Sequence, residues 1–239
     1  MARKPTTAKA ARAKTAAPTA AEARLSLTER AYAEIRNRVI TLEFRPGEFL
    51  NESLICASLG IGRTPVHEAL HRLHLEGLVQ VVPRKGVLIR SDSLNDVIAL
   101  IETRMLVEPA GMALAAERVQ PQHLRILRDL LKRQRHAIKQ KDRAGYMALD
   151  AAFHNEIVRA TGNNVLAEVM RMLHQRASRI WHLHVWDHAD LLLTQREHEA
   201  IFAALEAGDP ALTATAARAH LTSLRARIMN AVSVRNAAE

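Results

Sequence analysis

The sequence predicts a mainly α-helical chain in two folded parts: a helix–turn–helix unit closed by a small β ribbon, then an antiparallel bundle of six helices. Three observations carry this expectation. Apolar residues recur at helical spacing through most of the chain after Ser26. Strand-like residues are confined to "LVQVV" and "VLI", which flank Pro83-Arg84-Lys85-Gly86. After "SDSLND" the helical pattern is broken only by "VQPQ", "KDRAG", "TGNN", "DHAD" and "AGDP". Loops this short favour antiparallel neighbours.

The elements follow in order. Residues 1–25 are basic, rich in Ala and Thr and poor in large apolar groups, so a disordered tail is expected there. The tail lacks the apolar stretch of a secretory signal. Ser26-Leu-Thr-Glu29 reads as a capping box that opens a first helix, with Tyr32, Ile35, Val39 and Leu42 on one face. Arg45-Pro46-Gly47 ends it. Asn51 can cap a second helix carrying Leu54, Ile55 and Leu59, and Gly60-Ile61-Gly62 makes the turn. Thr64 can cap a third helix with Pro65 at its first position, where a missing N–H has no helical partner to lose. Val66, Ala69, Leu70 and Leu73 give that helix its buried side, and Gly77 stops it. The six later helices are expected near Leu94–Arg118, Pro121–Gln140, Arg143–Ala160, Val165–Trp186, Leu191–Ala207 and Pro210–Val232.

Composition narrows the function classes. Only 3% of residues are aromatic, which disfavours stacking on splayed single-stranded bases. The single cysteine, Cys56, excludes an internal disulfide framework and fits a reducing compartment, so a cytoplasmic location is expected. No run of 18 apolar residues marks a membrane span. The net charge of +9 points to an anionic partner, although residues 1–25, with six Lys/Arg against one acid, supply most of it.

The first folded part has the layout of a double-stranded DNA reader. A helix held by two others can lie in the major groove, where base edges are distinguishable. Its N-terminus offers unpaired N–H groups to phosphate, and Arg63 and Thr64 sit there. His67 and His71 point away from the apolar stripe. Arg84 and Lys85 stand at the ribbon tip, where Gly86 permits close approach. The segment "LGIGRTPVHEALHRLHLEGLV…RKGVLI" closely resembles the winged helix-turn-helix of GntR-family transcriptional regulators, over roughly Thr28 to Arg90. The resemblance implies DNA contacts from Arg63, Thr64 and Gly86, with Ser53 contributing from the second helix. Many relatives carry arginine where this chain has His67, a shorter and mostly neutral side chain, so the operator sequence is expected to differ.

The second part places polar residues on apolar faces. Tyr146, Asp150, Phe153, His154 and Ile157 share one helical face; so do Leu191, Gln195, His198, Phe202 and Leu205, and likewise Leu212, Ala216, His220, Leu224 and Ile228. A lone buried carboxylate is costly. One aspartate and three imidazoles can satisfy each other around a divalent cation, Zn, Ni, Mn or Fe. Each histidine taken singly is better explained as a hydrogen-bonded core residue; it is the four together that point to a metal. A rival cluster lies in "WHLHVWDH", with His182, His184 and His188. From about Leu94 to Val232 the chain resembles the FadR C-terminal ligand-binding domain, FCD, and its six helices resemble the VanR-type subgroup. "DAAFH", "REHEAIFAALEAGD" and "ARAHL" are similar to the metal-bearing version, which implies Asp150, His154, His198 and His220 as ligands. "IETRMLVEPA" implies Arg104 near an effector pocket, and Arg176 and Arg179 are weaker candidates for pairing an effector carboxylate.

The sequence thus divides into a tail over 1–25, a DNA-binding winged helix over 26–90 and a ligand-binding, dimerising bundle over 91–239. The function expected is a ligand-responsive regulator, in this family usually a repressor, that binds a palindromic operator as a homodimer and senses a small organic or sugar acid. Two alternatives stand beside it: an architectural DNA-binding protein with a structural bundle, and a metal-dependent hydrolase. The hydrolase reading is weakened because the sequence offers no separate general base or nucleophile elbow.

Overall fold

A computed structural model describes residues 26–183 and 188–236, with side chains described for 26–180 and 189–230. The expected tail over 1–25 lies outside the described residues, as do the side chains of His182, His184 and His188. The described chain runs α1 (Leu27–Ile40), β1 (Phe49–Leu50), α2 (Glu52–Leu59), α3 (Arg63–Leu75), β2 (Val79–Val82) and β3 (Gly86–Ile89). It continues with α4 (Leu94–Arg118), α5 (Pro121–Lys139), α6 (Arg143–Ala160), α7 (Asn164–Leu183), α8 (His188–Glu206) and α9 (Pro210–Asn236). The mainly α class with a β wing is therefore the observed one. No helix among the described residues is long and apolar enough to cross a membrane.

The head, α1 to β3, closes around its own core of Ala31, Tyr32, Ile35, Val39, Val66, Leu70, Leu73, Leu78, Val87 and Ile89. Ser26 caps α1 by accepting from the Glu29 amide at 3.1 Å. The expected capping box is only half formed there, because the Glu29 carboxylate accepts from Arg72 at 3.0 Å. Asn51 caps α2 through the Ser53 amide at 2.8 Å. Thr64 does not cap α3. The helix begins two residues earlier, at Arg63, with extended Gly62 at the cap position and no side-chain bond. Pro65 stands at the third helical position instead of the first, where its missing N–H likewise removes no helical bond.

The wing has one strand more than expected. β1 pairs antiparallel with β3, giving the order β1-β3-β2. This third strand fixes Gly86. With φ at 105°, a Cβ there would stand 2.5 Å from the Leu50 carbonyl oxygen.

The bundle, α4 to α9, has two apolar layers. One gathers Val97, Leu100, Ile101, Leu173, Ile180, Leu221 and Leu224. The other gathers Met112, Leu127, Phe153, Ile157, Ile201 and Phe202. The predicted breaks also act as caps. Asp142, Asn163 and Asp209 each accept from an amide in the first turn of the following helix, at 2.9, 3.1 and 2.9 Å. Ser93 and Asp96 form a complete capping box at the start of α4. The stripes expected on α6 and α8 are buried, apart from a partly exposed Asp150. On α9 the stripe is turned by one position at its start: Thr213 and Ala217 are buried where Leu212 and Ala216 were expected, and Leu212 is exposed. His220, Leu224 and Ile228 face inward as expected.

Head and bundle are joined through α7. Arg179, fully buried, donates from Nη1 to the Leu78 carbonyl at 3.2 Å and from Nε to Asp92 at 3.1 Å, with a further short bond from Nη2 to Asp92. Glu76, the C-cap of α3, is a second junction. It accepts from the Tyr32 hydroxyl at 2.8 Å and stands 3.6 Å from Arg171. The Gln175 amide bridges the same seam, donating to Glu76 at 3.2 Å and accepting from Arg36 Nη1 at 3.2 Å.

Candidate functional site

On the head, the expected DNA-contacting side chains are accessible. Ser53, Arg63, Thr64, His67, Arg84 and Lys85 are all exposed, while Gly86 is half-buried beneath β1. His67 Nδ1 lies 3.4 Å from the Glu52 carboxylate. Arg84 takes a left-handed backbone, φ 64°, which turns the ribbon tip. The tip therefore presents two basic side chains on a tight turn, and α3 presents its N-terminal amides beside Arg63.

In the bundle, three imidazoles meet. Ligating atoms of His154, His198 and His220 all lie within 4.8 Å of one another, and all three side chains are buried. Each comes from a different helix: α6, α8 and α9. The Asp150 carboxylate, one turn before His154, lies 3.5 Å from His198 Nε2. Neighbouring groups fix the rings. His220 Nδ1 is held at 2.7 Å by Glu197, which Arg227 also binds at 3.2 Å. His198 Nδ1 lies 3.5 Å from the Gln134 amide oxygen. His154 Nδ1 and His198 Nε2 are buried without a hydrogen-bond partner among the described residues. Burial, reinforced by the neighbouring imidazoles, holds His154 and His198 well below the ordinary histidine range, so both rings are neutral near pH 7. Burial raises the Asp150 carboxyl against the opposing pull of His220. Neutral imidazoles with unpartnered nitrogens beside a carboxylate fit a divalent cation by donor type and number.

Sequence reasoning missed two neighbours. His174 on α7 lies 3.0 Å from Glu108 of α4, and these two with His154 form a second donor group of the same compactness. Arg104, buried, pairs with Glu108 through two guanidinium nitrogens. Burial works against the Glu108 carboxylate, but Arg104 and His174 outweigh it and hold it ionised. The Arg104–Glu108 spacing of one helical turn was readable; His174 falls beside the buried stripe of α7 and gave no such signal.

A cavity of about 430 Å³ opens onto the cluster. Asp150, His154, His174, His220 and Arg104 line it. Arg176 and Arg179 do not line it. Arg176 packs over Gly77 at the seam, and Arg179 is the clamp on Asp92. The head also contributes to the wall, through Arg36, Asn37 and Ile40 of α1 and its C-cap Thr41.

Comparison with known proteins agrees with this architecture. Residues 27–89 match the bacterial regulatory proteins of the gntR family, and residues 99–223 match the FCD domain. An uncharacterized HTH-type transcriptional regulator in an unstable DNA locus of Streptomyces ambofaciens is 34% identical over 197 residues, covering 81% of each chain. The HTH-type transcriptional repressor RspR of Escherichia coli K12 is 25% identical over 201 residues, 83% of this chain and 87% of that one. A GntR transcriptional regulator from Rhodococcus sp. RHA1 superimposes with a TM-score of 0.72 at 27% identity, covering 87% of this chain and 99% of that one. These relatives are named transcriptional regulators, the class that this chain shares, and none is named a hydrolase. A winged head with an exposed reading helix, joined to a six-helix FCD bundle, thus makes this chain a DNA-binding transcriptional regulator of the GntR family.

Proposed function

We propose that the chain is a ligand-responsive repressor that binds a palindromic operator as a homodimer and senses a small organic or sugar acid at a divalent ion. Asp150, His154, His198 and His220 would hold the ion. The observation that carries this reading is the meeting of three buried imidazoles, two with an unpartnered ring nitrogen, at a cavity that His154 and His220 line and that the DNA-binding head helps to wall. A bound divalent ion supplies Lewis-acidic positions for a carboxylate. The chain's own residues do the rest. Glu197 and Gln134 orient the His220 and His198 rings. Arg104, held by Glu108, brings guanidinium N–H groups to the cavity wall. Arg63, Thr64, His67 and Ser53 meet the major groove, and Arg84, Lys85 and Gly86 carry the wing to the adjacent backbone or minor groove.

Each head of the dimer reads one half-site. The acid acts by binding one arrangement of head and bundle better than the other, so the operator affinity changes by that difference. RspR, named a repressor, supports the sign of the effect. The test is fluorescence anisotropy of the full chain, zinc-loaded, on duplex from the region upstream of its own reading frame, with and without a panel of organic and sugar acids. Specific duplex should be bound far more tightly than random duplex, and at least one acid should weaken that binding. Equal affinity for both duplexes overturns the operator reading. Affinity indifferent to every acid leaves an architectural DNA-binding protein with a structural bundle.

A further inference from the structure

The cavity beside the imidazoles is not closed by the bundle alone. The second half of α1, a helix of the DNA-binding head, supplies Arg36, Asn37 and Ile40 to its lining, and its C-cap adds Thr41. Three arginines line it, and they differ. Arg104 is paired with Glu108, and Arg171 stands 3.6 Å from Glu76. Arg36 forms no ion pair among the described residues. Its Nη1 meets the neutral Gln175 oxygen at 3.2 Å, and its guanidinium carbon lies 5.3 Å from the centre of the Tyr32 ring. Arginine cannot shed its charge to relieve this. A half-buried guanidinium on a cavity wall, answered only by an amide and a ring, is matched by a carboxylate or phosphate that can take two of its N–H groups. Much of the remaining lining is apolar, including Met147, Ala151, Ala177, Leu191 and Leu224. Such a lining suits a carbon chain, and the volume suits a small ligand.

We propose that the acid bound here carries two anionic groups, and that Arg36 binds the second, so that the ligand ties α1 of the head directly to the bundle. The inference rests on the reading above, in which the first carboxylate sits at the histidine cluster. It makes Arg36 a specificity-determining residue that separates dianions from monoanions of equal length. It also gives the ligand a direct hold on the DNA-binding unit, because Arg36 lies on the same helix as Tyr32, whose hydroxyl binds the C-cap of α3.

The test is isothermal titration of the zinc-loaded full chain with straight-chain α,ω-dicarboxylates and with monocarboxylates of matched length. For the wild type, the best dicarboxylate should bind about tenfold or more tightly than its monocarboxylate partner, as one charge-assisted contact implies. Arg36→Met should abolish that ratio and leave monocarboxylate affinity within about twofold. Arg36→Gln, which keeps an amide beside Gln175, gives the same comparison if the methionine variant folds poorly. Metal-dependent binding with no preference, or a preference that survives both substitutions, overturns the role of Arg36 and leaves the histidine site standing. Absence of binding by every acid, with or without zinc, overturns the carboxylate-sensing reading and this inference with it.

Discussion

Arg179→Met isolates the clamp between head and bundle. The arginine is fully buried, and its partner Asp92 has a side chain only 7% exposed. Two nitrogens donate to Asp92 and a third to the Leu78 carbonyl. Methionine keeps most of the stem volume but removes the charge and every donor. The loss is dominated by what remains: a carboxylate nearly out of water with no counter-ion. Breaking one side of a buried pair costs about 3–5 kcal/mol, against about 0–1 kcal/mol for an exposed pair. For a chain of this size, 1 kcal/mol moves the melting temperature by about 2–4 °C, so a fall of roughly 6–20 °C is expected. Urea denaturation followed by circular dichroism should show a lower midpoint at unchanged slope. The double variant Arg179→Met/Asp92→Asn should recover more than half of the loss, because no charge is then left buried alone. A single-variant loss below about 1 kcal/mol, or a double variant no better than the single, would refute the clamp.

Three further outcomes follow from the same geometry. Arg63→Ala should weaken operator binding by about 1–3 kcal/mol and narrow the gap between specific and random duplex, whereas a uniform loss across duplexes marks a phosphate contact. Gly86→Ala should lower both wing stability and operator affinity, since the new Cβ meets the Leu50 carbonyl and the φ of 105° is strained for alanine; wild-type affinity in an anisotropy titration would contradict this. Ser93→Ala should cost about 0.5–2 kcal/mol at neutral pH by removing the cap of α4. The Asp96 carboxyl is held below its ordinary value first by the Ser93 hydroxyl and then by the Ser93 amide. A group with a lowered folded pKa stabilises above its unfolded value, about pH 4. That contribution disappears as pH falls through the lowered value, so the penalty of Ser93→Ala should shrink in acid. An unchanged penalty there would contradict the capping box.

The fold was legible where periodicity was long. α6 and α8 span several turns, so their apolar rows placed His154 and His198 inward without any tertiary knowledge. α9 drifted by one position at its start, because its first turns are rich in Ala and Thr and give a weak contrast between faces. β1 went unread because two residues show no alternation, and Phe49 is half exposed. Arg179 is only a weaker effector candidate by sequence, and that role and its burial against Asp92 could not be told apart there, because Asp92 lies 87 residues away. His174 escaped notice for a similar reason: only the packing of α7 against α4 and α6 brings it to Glu108 and His154. Part played by the head in closing the cavity was also beyond the sequence, since nothing local marks Arg36 or Ile40 as facing another unit.

The central claim is that side chains from three helices of the bundle hold one divalent ion. Elemental analysis of the purified full chain, after incubation with zinc and exhaustive dialysis, tests it most directly when run beside His198→Ala. One equivalent per wild-type chain and far less in the variant is the expected result. Equal metal in both proteins, or none in either, would contradict the account of the sensing half.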